Sequence, residues 1–136
     1  MLISRTWLQT YFSKPLPAAA DIARAFTFHA FEIERVEKHD EDDVLDVKVL
    51  PDRNCYALSH RGVAGELSAI LNIPLEKKEI APVKIGGVAR MLRIDVQSPE
   101  LCNRYVGRLI EGVSVTDSPA WLKERLAVLG QRAINN

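Results

Sequence analysis

The residues with the most chemical potential lie between Arg53 and Arg61. Cys55 and His60 are five positions apart, and a thiol beside an imidazole can be an activated nucleophile. That spacing crosses a loop into a helix start, so it does not set their geometry, and no third group is evident to orient the imidazole. The alternative is a structural loop followed by an exposed imidazole. Arg53, His60 and Arg61 form a second candidate, a small cationic patch at a helix N-terminus, where charge and backbone N–H groups together could meet a phosphate. Against it, Arg53 can pair with Asp52 or Asp46 and buttress the loop. The acidic run His39 to Asp43 has oxygen ligands that suit calcium or magnesium. It lacks the glycine and spacing of a calcium loop and reads as a solvated turn. His29, between Phe28 and Phe31, reads as a half-buried histidine with one satisfied nitrogen. Trp121 could stack a base, or pack its helix onto a neighbouring sheet. Cys55 and Cys102 belong to no CxxC pair and read as small apolar residues rather than as a disulfide or zinc ligands. Gly86–Gly87 lacks the Lys and Ser/Thr of a phosphate loop.

These residues need elements to position them. Trp7 and Tyr11, like Leu8 and Phe12, are four apart, which predicts a short helix from about Ser4 with Ser4 as its cap. Pro15 and Pro17 break it. Ile22, Ala23 and Phe26 mark a second helix, Ala18 to Thr27. Residues 31–37 read as a strand, and so do Val44 to Leu50, with Leu45, Val47 and Val49 on one face. Ser59 caps a helix running to about Leu71, and Asn72 and Pro74 close it. Gly62 and Gly65 inside it cost about 1 kcal/mol each relative to Ala, which predicts close approach of another backbone. Residues 75–91 read as a connecting stretch. Leu92, Ile94 and Val96 alternate with charges as in a strand, and Arg104 to Val113 is a second strand candidate. Ser118–Pro119 starts a last helix, with Leu122, Leu126 and Leu129 on one face and Gly130 at its end.

Composition sets the outer limits. The 136 residues are 47% hydrophobic and 26% charged, which fits one folded domain or two small units and argues against disorder. No apolar run approaches the roughly 20 residues of a membrane span, and the first residues lack a secretion signal, so a cytoplasmic location is expected. The net charge is zero. Residues 1–86 carry 11 Lys/Arg against 13 Asp/Glu, and residues 87–136 carry 7 against 5. Neither half is basic enough to predict tight RNA binding alone.

Three stretches carry a resemblance. The first is Ile3-Ser4-Arg5-Thr6-Trp7-Leu8, through Tyr11 and Phe12, to Phe31-Glu32-Ile33-Glu34. The second is Pro51-Asp52-Arg53, then Leu58-Ser59-x-x-Gly62-Val63-Ala64-x-Glu66-Leu67. The third runs Ser98-Pro99-Glu100-x-Cys102-x-Arg104-Tyr105-x-Gly107-Arg108, Gly112-Val113, Ser118-Pro119-x-Trp121-Leu122, Arg125-Leu126, Gly130-x-Arg132-x-Ile134-Asn135-Asn136. In this order they resemble the start of the bacterial phenylalanyl–tRNA synthetase β subunit, and the third is similar to the opening of that family's B3/B4 editing domain. The chain departs from the family at Asp52 (usually Asn), at Asn54-Cys55-Tyr56 and at Gly65 (usually Arg). Only His39 to Asp43 fills the place where the family commonly inserts an OB-fold, tRNA-binding domain.

The resemblance implies an α+β chain in three parts. Residues 1–75 would be a small helical B1-like module with a short sheet, 76–91 a connector, and 92–136 the opening strands and helix of a B3/B4-like domain. It implies an N-terminal fragment of a ligase that attaches phenylalanine to tRNA with ATP and magnesium, as an (αβ)₂ heterotetramer. The fragment itself would hold no catalytic residue, metal or cofactor. Its partners would be the α subunit, the remainder of the β subunit and tRNA. Arg132 and Asn136 would border the editing pocket, and Arg53, His60 and Arg61 are the RNA-contact candidates. A stand-alone RNA- or protein-binding module derived from the same unit is the alternative.

Overall fold

The computed structural model describes residues 1–77, 81 and 92–136. The chain divides into two compact units, one made of Met1–Lys78 with Asp117–Asn136 and the other of Glu79–Thr116. The architecture is α+β, as expected. In chain order the elements are β1 (Leu2–Ser4), α1 (Arg5–Gln9), α2 (Ala19–His29), β2 (Glu32–His39), β3 (Asp42–Lys48), α3 (Asn54–Ala57), α4 (His60–Leu71) and α5 (Ala120–Val128).

The sheet is antiparallel, in the order β1-β3-β2. Its centre is β3, whose Leu45 and Val47 are fully buried. The expected turn at His39 to Asp43 is tighter than its polarity suggested. His39 pairs with Asp42, and only Asp40 and Glu41 lie between the strands. Asp40 takes φ 52°, a left-handed conformation that Asp tolerates better than most residues. Both strands therefore start or end inside the acidic run, and β3 covers Asp42–Lys48 rather than 44–50. The solvent side of the sheet is a lattice of opposite charges, including Lys48 with Glu32 at 2.9 Å and Arg35 with Asp46 at 3.4 Å. Leu8, Ile22, Phe26, Val63 and Leu67 come from α1, α2 and α4 and pack over the other side with Ile3. Phe26 meets Phe31 edge-on at 5.5 Å.

Local signals set several element ends. Ser4 caps α1 by accepting from the Trp7 N–H, and Ser59 caps α4 by accepting from Gly62. Asn72 closes α4 in the left-handed conformation. The two α4 glycines differ. A Cβ on Gly62 would lie 1.8 Å from the Tyr56 carbonyl oxygen, the predicted close approach, whereas a Cβ on Gly65 would meet nothing within 4 Å. Two short elements, β1 and α3, were not foreseen. At α5 no side chain caps the start: Ser118, the hydroxyl placed to do so, donates to the Asn135 carbonyl at 2.6 Å instead. Gly130, at φ 66°, ends that helix as expected, with the Gln131 N–H reaching the Leu126 carbonyl at 2.7 Å.

Residues 92–96 and 104–113 correct the strand expectation: none of the described residues of the second unit lies in a strand or helix. Alternation marks a half-buried surface, but a strand also needs a ladder partner. Here the two stretches meet through side chains. Leu92 Cδ2 lies 2.6 Å from where a Gly107 Cβ would stand, and Ile94 Cδ1 lies at 2.9 Å. Most of the connector, together with Gly86–Gly87, lies outside the described residues.

Candidate functional site

The buried polar array of the first unit is built around His60. Helix α4 begins at this residue, and its ring turns inward to 7% exposure. Nε2 accepts a hydrogen bond from the Ser4 N–H at 3.0 Å. That bond requires a lone pair on Nε2, so the neutral ring carries its proton on Nδ1. The imidazole stacks on Trp7, with centroids 4.0 Å apart and planes 18° apart. Burial, then the Arg125 guanidinium, pull its pKa down to about 4, and Asp42 opposes them. The expected exposed imidazole is therefore a buried, neutral one.

Asp42 organises the same corner from β3. One carboxylate oxygen accepts from the Ser4 hydroxyl, and the other accepts from the Thr6 N–H at 2.8 Å. Ser4 in turn accepts from Trp7 at 2.9 Å. The start of α1 thus has two side-chain caps. From α5, the Arg125 guanidinium lies 4.7 Å from the Trp7 ring centroid and 5.5 Å from that of Trp121. An open groove of about 440 Å³ runs beside this array, between the hairpin tip, α1 and α5; His39, Glu41 and Glu124 share its lining.

The sequence candidates scatter. Arg53 pairs with Glu66 at 3.4 Å and Asp52 at 3.8 Å, and its guanidinium lies 5.7 Å from the Phe31 ring centroid. This is the buttress alternative, with Glu66 as the additional partner. Glu66 also accepts from the Tyr56 hydroxyl at 2.5 Å, a bond that raises the tyrosine pKa. Arg61 is exposed. The structure thus gives Arg53, His60 and Arg61 three different surroundings. Cys55 is exposed while His60 is buried with Nε2 engaged by Ser4, so the arrangement supplies no thiolate–imidazole pair. His29 is exposed rather than half-buried, and Phe28 beside it is 75% exposed. Arg132 and Asn136 are both exposed, beyond the Gly130 turn. Among the described residues no three His, Cys, Asp or Glu side chains gather to hold a metal. No helix among them is long and apolar enough to cross a membrane.

Sequence reading missed the Trp7–His60–Arg125 array because its members lie far apart in the chain. Asp42 was hidden in a run that looked merely solvated. The one local signal was the four-residue spacing of Trp121 and Arg125, which puts both on one side of α5.

Comparison with known proteins gives a consistent result. The chain is 42% identical over 102 residues to the phenylalanine–tRNA ligase β subunit of Anaeromyxobacter dehalogenans, covering 74% of this chain and 13% of that protein. It is 35% identical over 137 residues to that of Rhodopirellula baltica, covering 100% of this chain and 20% of that protein. It is 40% identical over 94 residues to that of Thermotoga maritima, covering 68% and 12%. The chain therefore spans a fifth or less of the length of these relatives. No protein-family model matches it. No solved structure matches it.

Proposed function

The chain belongs to the phenylalanine–tRNA ligase β-subunit family, and we propose that it acts as a positioning stretch of such a subunit and supplies none of the chemistry itself. The ligase reaction joins phenylalanine to its tRNA at the expense of ATP, with magnesium, in an assembly of α and β subunits in the cytoplasm. The observation that carries this reading is the likeness along the whole chain.

The residues of the resemblance support a positional role, because each of several has a structural task. Ser4 caps α1, Trp7 stacks on His60, Ser59 caps α4, and Gly62 admits the Tyr56 carbonyl. In this reading ATP and magnesium are handled by other parts of the ligase. The salt-bridged sheet face likewise offers tRNA few uncompensated cations.

A graft tests the proposal. The matching stretch of the Thermotoga maritima β subunit is replaced by this chain, the hybrid is assembled with its α subunit, and phenylalanine–tRNA formation is measured. We expect assembly and a rate within about tenfold of the parent, on the order of the 1.4 kcal/mol that tenfold represents. A hybrid that assembles but forms no product would overturn the reading.

A further inference from the structure

The segment 117–136 belongs to the first compact unit although residues 79–116 separate it from the rest of that unit in sequence. It is closed on itself, with the Ser118 hydroxyl donating to the Asn135 carbonyl at 2.6 Å, and Gly130 turning the chain back. Its grip on residues 1–78 is thin. No residue of α5 is buried, and Trp121 is 56% exposed. The specific hold is the guanidinium of Arg125 over Trp7, the same indole that stacks on His60.

We propose that residues 117–136 form a releasable strap, and that the His60–Trp7 stack is the catch that holds Arg125 and lets it go when His60 gains a proton. A neutral imidazole leaves the Trp7 ring free to take one cation, Arg125. A protonated one puts a second cation against the same indole. It also turns Nε2 into a donor facing the Ser4 N–H, so that both nitrogens offer a proton and neither accepts. Both effects loosen the corner where the strap is seated. The charged groups that act on His60 are Arg125 on α5 and Asp42 on β3; Arg61 follows it in α4 and is exposed, and Arg5 follows Ser4 in the chain. Arg5 is engaged elsewhere, with the Leu16 and Pro17 carbonyls at 2.8 and 2.9 Å. Asp42 favours the charged imidazole but is itself engaged with Ser4 and Thr6. His39 lines the same groove.

The test is amide-exchange protection of residues 121–129 against that of the β2–β3 hairpin, from pH 7 to 4.5, in wild type, Arg125→Ala and His60→Gln. Arg125→Ala should cost the strap roughly fivefold to thirtyfold protection at pH 7, the range of one cation–π contact, and leave the hairpin unchanged. Wild type should lose strap protection before hairpin protection as the pH falls. His60→Gln, whose amide oxygen can still accept from Ser4, should keep the strap over that range, which separates His60 from His39. A strap unaffected by Arg125→Ala, or one released at the same pH in His60→Gln and wild type, overturns the proposal. Should His60→Gln fail to fold, the imidazole titration of His60 followed by NMR in Arg125→Ala decides. Coupling is reciprocal, so removing Arg125 must raise the apparent pKa of His60. An unchanged value refutes the catch.

Discussion

Gly62 and Gly65 stand three residues apart on α4, and their surroundings predict opposite results for the same substitution. At Gly62 an added methyl would sit 1.8 Å from the Tyr56 carbonyl oxygen, which is backbone and has no easy retreat. Gly62→Ala should destabilise by roughly 2–4 kcal/mol. At Gly65 the methyl meets nothing within 4 Å, so Gly65→Ala should stabilise by about 0.5–1 kcal/mol through helix propensity alone. Urea unfolding of the two variants checks both signs. The sequence alone suggested a close approach at each glycine, because helix propensity treats them alike; only the partner backbone distinguishes them. His60 gives a prediction in pH. Its folded-state pKa of about 4 lies below the ordinary 6.5, so the folded state binds the proton less tightly than the unfolded chain. This contribution is complete above about pH 6.5 and is lost as the pH falls from there towards 4, by at most roughly 3 kcal/mol. His60→Gln should flatten that part of the stability profile; a slope equal to wild type between pH 6.5 and 4 would contradict the assignment.

At the scale of elements, helix ends were legible and partners were not. Ser4, Ser59, Asn72 and Gly130 act on backbone groups within a few residues, so local sequence was enough to place them. The strap's Ser118 shows the limit of that logic. Its hydroxyl had a choice between its own helix and the Asn135 carbonyl, and the distant acceptor won. The stretches 92–96 and 104–113 show a second limit. Their alternation has the period of a strand, but hydrogen bonding to a neighbour makes the strand, and Val106 remains 74% exposed. Helix α1 shows a third. With five residues it is too short to hold itself, and Asp42, far along the chain, supplies a second cap through Thr6 and Ser4. Asp42→Ala should therefore cost about 1–2 kcal/mol and lower amide protection at Trp7 to Gln9 more than in α4. Equal loss across both helices would mean that Asp42 supports the fold generally and not α1.

At the scale of the molecule, several polar groups of the first unit are committed to one another. The sheet face pairs its charges, Arg53 and Tyr56 share Glu66, and His60 is buried between Ser4 and Trp7. The two candidates read from the sequence, Cys55 with His60 and Arg53 with His60 and Arg61, come apart into a salt-bridged arginine, a buried stack and two exposed side chains. The family resemblance, by contrast, was readable from motif order alone, because it rested on residues whose local tasks demand their identity. This arrangement fits a stretch that orients other parts of a ligase. The most direct measurement is the phenylalanylation rate of the grafted ligase carrying Cys55→Ala and Arg61→Ala together, the two exposed groups with chemical potential. A positional role predicts kcat within about twofold of the unsubstituted graft, because no transition-state contact has been removed. A fall of about a hundredfold or more in kcat, with the assembly intact, would mean that this chain takes part in the chemistry.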